Sequence, residues 1–203
     1  MSLVVFTGGA RSGKSAAAQD LARHRALAGA RVVAIVFSLV GEDLEMAERV
    51  ARHQARRPEG FAVVEAQESR SCLAAVDPES LLLLDCLGML VGMVMAEEWP
   101  AALEGRELVD AGSDLPAGYA ETVEARVGEL VSALCERHGD AIVVTNEVGD
   151  GVVPAYASGR LFRDVLGRAN RTLVSRADRS YLTVCGRLQE LDSLTVSATW
   201  PED

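Results

Sequence analysis

Apolar residues in this chain fall into two rhythms: short unbroken runs, and longer stretches spaced at three and four. Leu3-Val4-Val5-Phe6-Thr7 opens with the first rhythm. Arg31 to Phe37 repeats it as a nearly continuous β-branched run, the mark of a strand buried on both faces of a parallel sheet. Phe61 to Glu65, Leu81-Leu82-Leu83-Leu84 before Asp85, and Ala141 to Asn146 are further strands. Arg179 to Cys185 and Leu191 to Val196 are expected to be the last two. Between them, Lys14 to Ala28 reads as a helix with Ala17, Ala18, Leu21 and Ala22 on one side, stopped by Gly29. Leu44 to Arg56 is a polar helix ended by Pro58, and Leu87 to Ala96 an apolar one. Glu121 to His138 carries an apolar stripe of Val123, Val127, Leu130, Val131 and Leu134, and Gly159 to Arg176 is the last helix. Strands alternating with helices predict an α/β fold, a doubly wound and mostly parallel sheet with helices on both faces. One domain over 1–203 is expected, with an irregular excursion over 97–118 and a tail over 198–203.

Composition narrows the function more than the fold. The chain is 49% hydrophobic, which excludes general disorder, and its net charge of −10 repels nucleic-acid phosphates. No apolar run reaches the roughly 20 residues of a membrane span, and the N-terminus has no signal-peptide pattern, so a cytoplasmic protein is expected. The four cysteines, Cys72, Cys86, Cys135 and Cys185, have no C-x-x-C spacing and read as buried thiols. The three histidines, His24, His53 and His138, are too far apart for a zinc site.

The sharpest signal is Gly8-Gly9-Ala10-Arg11-Ser12-Gly13-Lys14-Ser15, which fits G-x-x-x-x-G-K-[ST] between a strand and a helix. Backbone N–H groups of such a loop converge on anionic oxygens, Lys14 reaches the β- and γ-phosphates, and the Ser15 hydroxyl ligates Mg²⁺. A nucleoside triphosphate, ATP or GTP, is the expected ligand. Asp85 ends an apolar strand in the manner of a metal-holding acid, the alternative being an acid that caps the next helix. His53 lies among Arg52, Arg56 and Arg57, which lower its pKa and hold phosphate oxygens. On residues alone, the solvated surface histidine is the more usual reading of such a position. Thr145-Asn146-Glu147-Val148-Gly149 places polar groups at a strand end where substrate would sit. On the last helix Arg160, Arg163, Asp164 and Gly167 share a face, with a plain salt-bridged face as the bland version.

Taken together, these residues resemble the bifunctional adenosylcobinamide kinase/adenosylcobinamide-phosphate guanylyltransferases of cobalamin synthesis. The resemblance covers nearly the whole chain. It rests on Thr7 to Ser15, on Glu45-Met46, Arg49-Val50, His53 and Arg57-Pro58, and on Leu84-Asp85-Cys86-Leu87. It continues through Val144 to Gly149, Gly151 to Pro154, Arg160, Phe162-Arg163-Asp164, Gly167, Asn170 and Ala177-Asp178. It implies a RecA-like sheet, a homotrimer, and two reactions with Mg²⁺ as cofactor. ATP or GTP phosphorylates the aminopropanol hydroxyl of adenosylcobinamide; GTP then guanylylates a histidine, and the GMP passes to the phosphorylated corrinoid. The histidine carried over is His53. Ser38, Arg56, Arg57 and Glu65 join the nucleotide side, and Thr145, Asn146, Glu147, Gly149 and Arg163 the corrinoid side.

The sequence also departs from the family pattern. Arg52 replaces a histidine found in some members, and Ser38-Leu39 a Thr-Ser. Gly88 and Gly92 stand where Thr and Asn are usual, and Phe61 where Trp is common. Two other readings therefore stay open: a nucleotide-binding paralogue with impaired catalysis and a regulatory role, and a P-loop kinase of another small alcohol.

Overall fold

A computed structural model describes residues 2–37, 60–100 and 115–194. Among the described residues, seven strands form one sheet in the order β3-β2-β4-β5-β1-β6-β7. These are β1 (Leu3–Thr7), β2 (Val32–Phe37), β3 (Ala62–Ala66), β4 (Leu81–Asp85), β5 (Ala141–Val144), β6 (Arg179–Val184) and β7 (Arg187–Glu190). The first six run parallel, and β7 pairs antiparallel with β6. The helices are α1 (Lys14–Leu27), α2 (Ser69–Cys72), α3 (Leu87–Glu97), α4 (Tyr119–Cys135) and α5 (Ala157–Arg176). The sheet is the doubly wound, mostly parallel one expected.

Burial on both faces explains why the central strands are so uniformly apolar. Every residue of β2 is buried, as are Leu81 to Leu84 of β4 and all of β5. On one face Phe6, Val32, Ala34, Leu81, Leu83, Ile142 and Val144 pack against Ala18 and Ala22 of α1. The small alanines bring the helix axis close to the sheet. On the other face Leu82, Leu84, Val5 and Ile35 meet α3, α4 and α5 in a larger core. Leucines with good helix propensity form β4 because both of its faces are covered, and tertiary burial overrides propensity.

The ends of some elements differ from the sequence reading. Among the described residues the last strand is Arg187–Glu190; of the strand expected over Leu191 to Val196, residues 191–194 form a turn and 195–196 lie outside the described residues. A two-residue turn, Cys185-Gly186, folds β7 straight back on β6, and Cys185 and Gly186 have φ of 49° and 74°. β7 is a polar edge strand, so it lacks the apolar signature of a buried one. Cys185 at the turn is exposed, a correction to its reading as a buried thiol; Cys72 is buried, and Cys86 and Cys135 are half-buried. Glu97 does not begin an irregular excursion. It closes α3, and its carboxylate takes the Ser69 backbone N–H at 2.6 Å and the Ser69 hydroxyl, fixing the start of α2. Residues 101–114 and 198–203, and the polar helix over 44–56, lie outside the described residues. Among those described, no helix is long and apolar enough to cross a membrane.

Asp192, just past β7, ties the hairpin together. Its carboxylate accepts from the Ser180 hydroxyl at 2.7 Å and the Ser180 N–H at 2.9 Å. The hydroxyl, followed by the backbone donor, holds its pKa below the ordinary carboxylate value. A depressed folded pKa contributes stability above the unfolded value of about 3.9, and that stability is lost as pH falls through the folded pKa. Denaturant unfolding followed from pH 6 to pH 2 is therefore expected to show a loss below about pH 4 that is smaller in Asp192→Asn.

Candidate nucleotide-binding site

A parallel sheet delivers its strand C-termini to one edge, and here that edge carries nearly all of the expected chemistry. β1 ends at Thr7 and the chain turns through 8–13 into α1, whose first residue is Lys14. Two glycines are required by what surrounds them. Gly8 has φ 145°, and a Cβ there would run into the Thr183 carbonyl of β6. Gly13 has φ 105°, and its Cβ would stand 3.2 Å from the Cα of Gly186. Arg11 has φ 59° and is exposed at the loop. Lys14 is only 6% exposed, and its ammonium donates to the Gly9 carbonyl at 2.9 Å, folded over the loop it would serve.

Asp85 stands at the end of β4, separated from β1 by β5; the rung runs Asp85, Val144, Phe6. Helix α1 lies over that face and brings Ser15 across, so that its hydroxyl donates to Asp85 Oδ1 at 3.1 Å. A hydroxyl and a carboxylate at this distance are hard oxygen donors suited to a small divalent cation that takes its other ligands from phosphate and water. Next in the chain, burial and then the Asp85 carboxylate push the Cys86 thiol up, keeping it protonated beside the site.

The segment after β5 is held from two directions. The Glu147 N–H donates to the Gly8 carbonyl at 3.0 Å, joining this segment to the loop. The Thr145 hydroxyl donates to Asn170 Oδ1 at 2.6 Å, and Asn170 Nδ2 donates to the Asn146 carbonyl at 2.9 Å. Thr145 is fully buried and Asn170 is 6% exposed, so the bond between them is shielded from water, while the one to the Asn146 carbonyl is part-buried. The half-buried Glu147 accepts from the exposed Gly149 N–H at 3.0 Å. Gly88 opens α3 against Asn146, Phe162 and Leu166 at 3.6 to 3.7 Å, ordinary contact for a Cβ, and nothing lies within 4 Å of one at Gly92. Neither glycine is dictated by space.

Other candidates stand apart. Glu65 is exposed on edge strand β3, on the rung of Val36, two strand positions from Asp85. Arg163 is engaged with Asp164 at 2.8 Å, which realises the salt-bridged reading of this helix face. Arg160 donates to the carbonyls of Pro154 and Ala155 at 3.1 and 2.7 Å, pinning the end of the strand-end loop to α5. Ser38, His53, Arg56 and Arg57 lie outside the described residues. Sequence reasoning gave no role to Asn170, although it carried a signal: a polar residue on the buried stripe of Leu166, Ala169 and Leu173. The Gly186 contact left no residue-type signal at all.

Replacing Asn170 with Leu leaves the buried Thr145 hydroxyl without its partner and removes the donor to the part-buried Asn146 carbonyl. At about 1–3 kcal/mol for a buried unmet group, Asn170→Leu is expected to destabilise the chain by about 1–3 kcal/mol in urea unfolding.

Comparison with known proteins agrees with this geometry. The family model described as "Cobinamide kinase / cobinamide phosphate guanyltransferase" matches residues 4–191. "Bifunctional adenosylcobalamin biosynthesis protein CobU" of Escherichia coli (strain K12) is 32% identical over 192 residues, covering 91% of this chain and 96% of the relative. The protein of the same name from Salmonella typhimurium is 32% identical over 195 residues, with the same two coverages. "Bifunctional adenosylcobalamin biosynthesis protein CobP" of Pseudomonas aeruginosa is 32% identical over 184 residues, covering 90% of this chain and 92% of that one. The match takes in the phosphate loop, the Asp85 strand, the segment after β5 and α5 together, and the chain belongs to the cobinamide kinase / cobinamide phosphate guanyltransferase family.

Proposed function

We propose that the protein phosphorylates the aminopropanol hydroxyl of adenosylcobinamide with ATP or GTP, then transfers GMP from GTP to that phosphate, giving adenosylcobinamide-GDP. The observation that carries this is the site at the sheet edge: a phosphate loop with Lys14 folded into it and the Ser15–Asp85 pair beside it, in a chain of this family. In the kinase step Lys14 leaves the Gly9 carbonyl for the β- and γ-phosphate oxygens, and loop N–H groups hold the β-phosphate. Ser15 and Asp85 would hold Mg²⁺, which when bound would neutralise charge on the phosphates. The corrinoid hydroxyl attacks the γ-phosphorus, its proton passes to solvent water, and the nucleoside diphosphate leaves as the bond to its β-phosphate oxygen breaks.

In the transfer step neutral His53 attacks the α-phosphorus of GTP, an N–P bond forms and pyrophosphate leaves. A phosphate oxygen of the phosphorylated corrinoid then attacks the same phosphorus and the imidazole departs. Arg56 and Arg57 hold the triphosphate, with Ser38 and Glu65 on the nucleotide side. Asn146, Glu147, Gly149 and Arg163 face the corrinoid, while Thr145, expected on that side, is buried and steadies the segment from below through Asn170. This reading includes a homotrimer in the cytoplasm, where its triphosphates are available.

GTP labelled at the α-phosphate distinguishes this reading from an impaired paralogue and from a kinase of another alcohol. Acid-labile, base-stable label is expected on the wild type and not on His53→Ala. Tight GTP binding with no label on the wild type overturns the transferase half. With γ-labelled triphosphate and adenosylcobinamide, Lys14→Ala is expected to lower the phosphorylation rate by roughly a hundredfold or more. Failure of the wild type to phosphorylate this corrinoid overturns the kinase half.

A further inference from the structure

A phosphate loop works only if its peptide N–H groups point inward, and a loop rich in glycine does not hold that orientation by itself. In a trans peptide the carbonyl and the following N–H point in opposite directions. Fixing a carbonyl from behind therefore aims the next N–H forward. Two carbonyls of this loop are fixed in this way. Gly8 O accepts from the Glu147 N–H at 3.0 Å, and Ser12 O accepts from the Gly186 N–H at 2.8 Å. The second donor comes from the β6–β7 turn, at the far end of the chain from the loop.

That turn is built to spare the donor. Cys185 and Gly186 both have positive φ between the paired residues Val184 and Arg187, which is a type I′ turn. The N–H of the second central residue is not used by the hairpin ladder, so it projects from the tip. Contact is close as well: a Cβ at Gly13 would stand 3.2 Å from Gly186 Cα and 3.9 Å from Thr183 Cγ2. The P-loop is thus seated on the hairpin at both of its flanking glycines, Gly8 on Thr183 and Gly13 on Gly186.

We propose that the Cys185-Gly186 turn is a positioning element for phosphate binding, its Gly186 N–H holding the Ser12 carbonyl so that the Gly13 N–H faces the anion. This rests on the reading of the loop as a phosphate cradle. Cys185 contributes backbone conformation only; the ligand-directed effect runs through the Gly186 amide. The moiety affected is the phosphate chain, whichever base it carries.

Types I′ and II′ differ by a flip of the central peptide, which permits a test without removing the hairpin. The double change Cys185→Gly with Gly186→Ser favours II′ and turns the amide away from Ser12. Cys185→Asn favours I′ and keeps it in place. Inorganic pyrophosphate and GTP binding are measured by calorimetry, with guanosine as a ligand lacking phosphate. The double variant is expected to bind pyrophosphate and GTP roughly tenfold more weakly, as loss of one directed hydrogen bond implies, with guanosine unchanged. Cys185→Asn is expected to bind all three as the wild type does. Equal pyrophosphate affinity in the double variant and the wild type overturns the proposal, as does equal weakening for guanosine. A wild type that binds no pyrophosphate overturns the cradle reading and this one with it. Hydrogen exchange on the wild type gives a check that depends on no variant. Slow exchange at Gly186, slower still with pyrophosphate, supports the proposal, and exchange at the rate of a free turn overturns it.

Discussion

Parallel alignment is the constraint on which the rest of this structure depends. Six strands running the same way end along one edge, and each end must hand its chain to a loop there. Those loops therefore share one strip of surface, whatever their separation in sequence. Gly8 from β1, Asp85 from β4, Glu147 after β5 and Gly186 after β6 come from four quarters of the chain and meet within hydrogen-bonding reach of one loop and the first turn of α1. Chemistry at the edge is possible because the central strands beneath it, β2, β4 up to Leu84 and β5, are apolar and buried. Val5, Leu82, Leu84, Val143 and Val144 are completely shielded, which gives the strand ends a rigid base.

The site is held mostly by backbone. The loop carbonyls of Gly8 and Ser12 are taken by backbone N–H donors of neighbouring segments, and Lys14 and the Ser12 N–H both turn to Gly9 O. Side chains enter where a segment has to be oriented from below, as Asn170 does for Thr145 and Asn146. Such a division lets the cradle keep its shape while exposed side chains at the rim vary. It also accounts for the tolerance of glycine at 88 and 92, where the space leaves either size of residue room.

What was legible in the sequence follows the same division. The phosphate loop could be read because its chemistry needs particular residues at fixed spacing, and Asp85 because it closes a leucine run. Apolar runs gave β2, β4 and β5, since strands covered on both faces must be apolar throughout. β7 escaped because it is a polar edge strand with one neighbour, and its Cys-Gly turn lacks the Asn-Gly or Asp-Gly signature. Helix α2, four residues long, is too short to show a period. Contacts such as Gly186 to Ser12 use groups that every residue owns, so no residue type could announce them. Asn170 was readable as part of the resemblance and as a polar residue on an apolar stripe, but its partners became evident only once α5 was set against β5.

The placement of β5 between β1 and β4 has a metrical consequence. Neighbouring strands are spaced by their hydrogen bonds at about 4.8 Å, and side-chain substitution scarcely alters that figure. With β5 interposed, the strand bearing the phosphate loop and the strand bearing Asp85 are kept two such steps apart, roughly 10 Å. Ser15 and Asp85 span the interval from opposite sides. The backbone ladder thus acts as a fixed gauge, and the width available to an ion and its phosphate is set by an interval that evolution at β5 cannot easily rescale. Fine adjustment is left to the reach of the two bridging side chains, a hydroxyl on one bank and a carboxylate on the other.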